Sequence, residues 1–230
     1  ALANDKLLPQ KKAKQALAKL FEAPGGDFAS LVAPLHLVGG PYANPYELMT
    51  FYDNHDMARM NASDNGFIDA HNWLFTARGI PVVYYGSEIG FERGTAEHAG
   101  NRNYFGSEGI ATAQAHPIHA ALARIARVRA ASPALQRGLQ VNIMLDGDRA
   151  AFYRVYQHAD KQQIALVLLN KGDAARAFVV DTMVQAGRWR SALDGRQIEV
   201  AANGALAADG PAHGVQVFLL DAPVAHPALQ

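Results

Sequence analysis

Residues 51–60 read FYDNHDMARM, and from Asp53 on they follow the apolar-leaning run Tyr46–Tyr52. Asp53, Asn54, His55 and Asp56 occupy four consecutive positions. Leu48–Tyr52 has the length and composition of a short buried strand, so the polar cluster falls where that strand gives way to a loop. In parallel α/β sheets and barrels, the carboxyl ends of strands are where sites form. Whether this stretch is the end of such a strand or an ordinary capped turn decides how the first half of the chain folds.

The bland reading is that Asp53, Asn54 and Asp56 cap the turn and the next helix, with His55 as a satisfied partner. The chemical reading is that a carboxylate beside an imidazole hydrogen-bonds vicinal sugar hydroxyls, its charge supporting a developing oxocarbenium ion. Residues adjacent on an ideal strand point to opposite faces, so His55 and Asp56 share one pocket only where the strand has ended. A metal reading has Asp53, His55 and Asp56 as ligands, but they are too close together to complete a shell, and no HExxH pair appears. With no cysteine and no GxSxG, nucleophilic Ser or Cys chemistry has no support.

The chain has 230 residues, half of them hydrophobic, enough for a sizeable core and for two domains. Its 21 basic and 21 acidic residues cancel, and no basic tract stands out, which argues against a nucleic-acid or membrane-surface partner. No apolar run approaches the ~18–20 residues of a membrane span. The opening ALANDKLLPQ lacks the basic start and apolar core of a signal peptide and has no initiator Met, so a mature or truncated start is expected.

Outward from the motif, residues 9–22 predict a helix with Pro9 in its first turn, stopped by APGGD at 23–27. Residues 68–78 predict a helix ended by Gly79, and IPVVYYG at 80–86 predicts a strand. Residues 91–110 predict a long loop of the kind that carries function, and 117–131 the clearest amphipathic helix. After Pro133 helical signals almost vanish. AAFYRVYQH, QQIALVLLNKG, ARAFVV and GVQVFLLD predict short antiparallel strands, whereas the Ala-rich 201–213 is expected to be turns. The expected fold class is α/β followed by all-β, with domains at 1–132 and 133–230 and a sandwich in the second.

Three segments fall in order around the motif: FYDNHD at 51–56, GIPVVYYGSEIGF at 79–91 and GNRNYFG at 100–106. Together they resemble the α-amylase family of glycoside hydrolases, whose strand-seven segment has the form F-x-x-N-H-D and whose strand-eight segment is usually G-x-P-x-x-Y-Y-G-x-E. GNRNYFG is similar to that family's loop ending in Asn-Arg, and SPALQRG at 132–138 to its join between the last barrel helix and the C-terminal β domain. The resemblance is strong over residues 46–138 and rests on position and texture alone beyond them.

The resemblance implies the C-terminal portion of a (β/α)8 TIM barrel plus an antiparallel β-sandwich. It makes Asp56 the third family carboxylate, which holds sugar hydroxyls and supports the transition state without being nucleophile or proton donor. His55 would bind the same sugar, and Asn101 and Arg102 would bind substrate on the donor side. Tyr84, Tyr85 and Glu88 are expected to be structural, and Glu97 and His98 are open between substrate contact and none. The nucleophile segment G-x-R-x-D and the first region D-x-x-x-N-H are not found in the first fifty residues. The implied function is therefore part of an α-glucan-active hydrolase or transglycosylase, resembling cyclomaltodextrinase, neopullulanase and cyclodextrin glucanotransferase, with the chain inactive alone. Implied partners are an α-glucan or cyclodextrin, the missing N-terminal part of the same enzyme, and a second copy by self-association. No cofactor or metal is expected in this chain, calcium belonging to segments of the full-length enzyme. Compartment is open, periplasm or secretion being favoured over cytoplasm. The competing reading is a non-catalytic carbohydrate-binding or assembly module, using exposed aromatics such as Phe152, Tyr153, Tyr156 or Trp189.

Overall fold

The computed structural model describes residues 16–23, 25–38 and 40–230. Residues 16–22 are helical (α1); the remainder of the helix expected over 9–22 lies outside the described residues. A 3-10 turn at Phe28–Leu31, capped by Asp27 Oδ1 on the Ala29 amide (2.7 Å), runs into the single turn α2 (Val32–Leu35).

The strand expected at Leu48–Tyr52 is only β1 (Met49–Thr50), and that expected at 80–86 is only β2 (Ile80–Pro81); the two pair in parallel. Between them lies α3 (Asp64–Thr76), which begins four residues before the predicted start because Ser63 Oγ accepts from the Gly66 amide (3.1 Å). It also ends sooner, at Thr76, with Ala77 extended, so Gly79 does not terminate it. Gly79 serves the chain crossing instead. Its φ is +97°, and a Cβ there would meet the Leu48 carbonyl oxygen at 2.8 Å, so only glycine lets the chain swing into β2 beside β1.

Then come α4 (Ser107–Ala113), which begins inside the stretch expected to be loop at 91–110, and α5 (Pro117–Ala130), with Pro117 at its first position as its sequence suggests. The short helix α6 (Pro133–Arg137) follows, its Leu135 amide donating to Ser132 Oγ at 3.2 Å.

The rest is mostly antiparallel sheet. Strands β3 (Leu139–Asp146), β4 (Arg149–His158), β5 (Lys161–Asn170), β7 (Gly187–Ser191), β8 (Gln197–Val200) and β10 (Gly214–Leu220) form one six-stranded sheet in the order β3-β4-β5-β10-β7-β8. Strands β6 (Arg176–Val180) and β9 (Leu206–Gly210) pair separately. β9 corrects the expectation of turns throughout 201–213: Leu206 and Gly210 are buried there while Ala207 and Asp209 face out, a two-residue period that small alanine side chains hide.

The central strands read as continuous apolar runs because both faces are covered. Phe152, Val167, Leu169 and Val217 turn toward α1, α3 and α5, where Trp73 meets Phe152 edge-on with ring centroids 5.6 Å apart. The alternate residues Tyr153, Leu166, Leu168 and Phe218 join Phe178, Trp189, Val200 and Leu206 in a second core between the sheets. Each such fully buried large side chain contributes ~1.5–3 kcal/mol. Phe152, Tyr153 and Trp189 are each 0% exposed, which removes them as exposed carbohydrate platforms. Trp189 Nε1–H donates to the Gln185 carbonyl at 2.9 Å, so its polar handle is satisfied inside.

Helices and sheet are also joined by polar contacts. Arg154 is 0% exposed and donates to the carbonyls of Thr76 (2.7 Å) and Gly138 (2.9 Å). His213 sits between Asp69 of α3 (2.7 Å) and Asp173 of the β5–β6 connection (2.8 Å). Burial alone would lower the His213 pKa, but the hydrogen bonds to the two carboxylates outweigh it and hold it above its ordinary value. Burial pushes Asp69 up to about 7, against the bond to His213, which lowers it. Both groups therefore bind a proton more tightly folded than unfolded, and stability falls as pH rises. For His213 the contribution is complete below its unfolded value of about 6.5 and is lost as pH rises through the higher folded value. Melting temperature should thus decline as pH passes through neutrality, and the isosteric Asp69→Asn should flatten that decline. A wild-type melting temperature that holds constant across neutral pH would contradict this account.

Candidate active site

The opening motif divides into a buried half and an exposed half. Asp53 is 3% exposed and accepts hydrogen bonds from Ser87 Oγ (3.0 and 3.1 Å) and the Met60 amide (3.4 Å). Burial raises its pKa to about 6, against the Ser87 bond. Asn54 Oδ1 accepts from the Asp56 amide at 2.9 Å, and its carbonyl accepts from the Met57 amide at 3.3 Å, closing a tight turn. Asn54 therefore caps the turn and Asp53 is a buried acceptor beneath it, but neither caps α3, whose N-cap is Ser63.

His55 and Asp56 project from that turn. The strand has ended at Thr50, so the opposite-face constraint no longer applies, and His55 Nε2 lies 3.2 Å from Asp56 Oδ2. Arg102 Nη2 donates to Asp56 Oδ1 at 2.8 Å, and its Nε donates to the His55 carbonyl at 3.1 Å. The three side chains are 59%, 61% and 57% exposed, so they form a charged cluster open to solvent. The Tyr84 ring stands 6.4 Å from the His55 ring, centroid to centroid.

Asn101 lies elsewhere than expected. It is 1% exposed, and its Nδ2 donates to the carbonyls of His55 (2.7 Å) and Met57 (3.0 Å) while its Oδ1 accepts from the His98 amide (3.1 Å). No polar atom of that side chain remains for substrate, so it braces the turn from beneath. Glu97 and His98 pair with each other at 3.1 Å on the exposed loop. Tyr84 and Tyr85 donate their hydroxyls to the carbonyls of Asn101 (3.0 Å) and Asn103 (2.6 Å), tying β2's extension to the 100–106 loop.

Two residues that hold this arrangement drew no attention as sequence. Ser87, in YYGSE, looks like a turn residue until Asp53 is brought against it across 34 positions. Arg59 looks like a surface cation after the motif, yet it is 2% exposed. Among the described residues no group of three His, Asp or Glu is placed to hold a cation. An apolar cavity of about 70 Å³, lined by Leu17, Leu35, Tyr42, Trp73 and Arg78 among others, includes none of the cluster's residues.

The chain as a whole has relatives among known proteins. The chain is 27% identical over 212 residues to the cyclomaltodextrin glucanotransferase of Niallia circulans, which covers 86% of this chain and 28% of that protein. It is 28% identical over 162 residues to the α-amylase of Streptomyces lividans, covering 55% of this chain and 17% of that one. The chain is a relative of the α-amylases and cyclomaltodextrin glucanotransferases. It spans less than two-fifths of the length of the curated relatives it matches. Among solved structures, a cyclomaltodextrin glucanotransferase with a three-domain ABC distribution superposes with a TM-score of 0.71 at 25% identity, over 92% of this chain and 44% of that one. The Geobacillus thermoleovorans α-amylase complexed with acarbose gives 0.76 at 20% identity, over 90% of this chain and 46% of that one. No protein-family model matches the chain.

Proposed function

We propose that this chain is the C-terminal part of an α-glucan-active enzyme that cleaves or transfers α-1,4-glucosidic bonds with retention. One observation carries the reading: Asp56 is held between Arg102 and His55 on a loop that follows a parallel strand, with its side chain 61% exposed. In that role Asp56 accepts hydrogen bonds from sugar hydroxyls, and its charge stabilises positive character at the anomeric carbon. His55 donates to the same sugar, and Arg102 offers a rigid fork of donors to a neighbouring one. Asn101 positions the turn and does not touch substrate.

The reading extends to architecture. The unit β1–α3–β2, parallel strands joined by a helix, is the repeating element of a (β/α)8 barrel, and Met49 and Ile80 on its strands are 66% and 50% exposed, as a wall awaiting neighbours would be. Residues 1–132 then supply the last barrel units and 133–230 the β domain. Retaining cleavage needs a nucleophile and an acid/base carboxylate about 5–5.5 Å apart. Neither is assigned within this chain, so turnover requires the barrel segments that carry them, and the chain by itself is inactive.

The test is hydrolysis and transfer on maltodextrin and cyclodextrin by the full-length enzyme, with NMR of the first-formed anomer. Release of the α-anomer is expected; an inverted product, or no cleavage of either substrate, would sink the proposal. In that enzyme Arg102→Ala should raise KM about tenfold, the equivalent of one charge-assisted hydrogen bond, with a smaller fall in kcat. An unchanged KM would remove Arg102 from the substrate site.

A further inference from the structure

Every member of the Asp–His–Arg cluster is more than half exposed. What holds them lies one layer below. Asn101 grips the carbonyls of His55 and Met57, and its neighbour Arg102 grips Asp56 and the same His55 carbonyl. The peptide between Asn101 and Arg102 therefore fixes both partners, and its position depends on the Asn101 carbonyl oxygen. That oxygen accepts from Tyr84 Oη (3.0 Å) and from Arg59 Nη2 (3.4 Å).

Arg59 is an unusual group to find there. It is buried, and among the described residues it forms no ion pair with a carboxylate and its Nε has no hydrogen-bond partner. Its guanidinium lies 5.0, 4.9 and 5.3 Å from the ring centroids of Tyr84, Tyr85 and Phe91, and Nη1 donates to the Tyr85 carbonyl at 3.0 Å. Its own backbone amide donates to Thr95 at 3.0 Å. One side chain thus binds the motif turn, the tyrosine turn and the Asn-Arg loop together. A buried cation facing three π-systems and two carbonyls requires a planar, multiply donating group, which a lysine ammonium is not.

We infer that Arg59 is a positioning residue for the reaction: it sets where Arg102, and through it Asp56, present themselves to the sugar. This rests on the proposed glucan-cleaving function, so the experiment begins with the wild-type full-length enzyme on maltodextrin; if that is inactive, the functional reading fails and not this one.

Given an active wild type, Arg59→Lys is measured well below its melting temperature. Displacement of the site by a fraction of an ångström should lower kcat/KM by about tenfold to a hundredfold. Since the effect runs through Arg102, adding Arg59→Lys to Arg102→Ala should cost less than threefold more. A merely structural arginine would lower the melting temperature; it would leave kcat/KM at low temperature within twofold of wild type, and a tenfold or greater loss in Arg59→Lys that added in full to that of Arg102→Ala would not run through Arg102. Either of the last two results overturns the inference. Should Arg59→Lys not be recovered folded, Tyr84→Phe keeps the ring against Arg59 and removes only the second donor to the same carbonyl. It should lower kcat/KM at least threefold, and an unchanged value overturns the inference equally.

Discussion

In the full-length enzyme, Asp56→Asn should lower kcat by about 10²–10³-fold while leaving the protein folded. The two halves of this expectation have separate causes. The carboxylate's negative charge matters most where positive charge develops at the anomeric carbon, so replacing it with a neutral isostere removes stabilisation that is strongest in the transition state. The fold is indifferent because Asp56 is 61% exposed and its partners, His55 and Arg102, are as open to water as it is. Exposed ion pairs of this kind are worth ~0–1 kcal/mol, so the melting temperature should hardly move. Steady-state kinetics and a thermal melt on the same preparation check both halves. Near-wild-type turnover would show that Asp56 is not the transition-state carboxylate.

Trp189→Ala should have the opposite profile. Its side chain is 0% exposed, fills the core between the two sheets beside Tyr153, and satisfies its indole N–H on the Gln185 carbonyl. Truncation leaves a large cavity and an unpartnered carbonyl, a loss of about 3–5 kcal/mol. Against a typical total of ~5–15 kcal/mol this is a large fraction, and denaturant midpoints should shift accordingly. If Trp189 were instead a glucan platform, the variant would keep its stability and lose retention in a starch gel. Affinity electrophoresis alongside chemical denaturation separates the two outcomes.

The split between His55–Asp56 and Asp53–Asn54 shows how far four letters of sequence can be read. A carboxylate, an amide and an imidazole in a row are compatible with a cap and with a site, and the structure divides the tetrad, tying Asp53 and Asn54 into the fold and leaving His55 and Asp56 exposed. What separates them is burial: Asp53 meets Ser87 beneath the turn, while Asp56 meets Arg102 above it. Neither partner is local, so no window along the chain contains the answer.

Elements with strong short-range signals were legible without coordinates. α5 starts on Pro117 and keeps its apolar face, and the four strands expected in the C-terminal part all form. The relationship to the α-amylases and cyclomaltodextrin glucanotransferases was legible too, because FYDNHD, YYGSE and GNR keep their order and spacing. What the tertiary structure alone decided was where each polar side chain sits and which partners it meets. Asn101 was expected at the sugar and is a buried brace, and Arg59, placed like a surface cation, is a buried hub. The physical reason is the same in both cases. Local sequence sets backbone conformation through sterics and short-range hydrogen bonds, but whether a polar side chain faces solvent depends on which distant carbonyls and rings the fold brings to it.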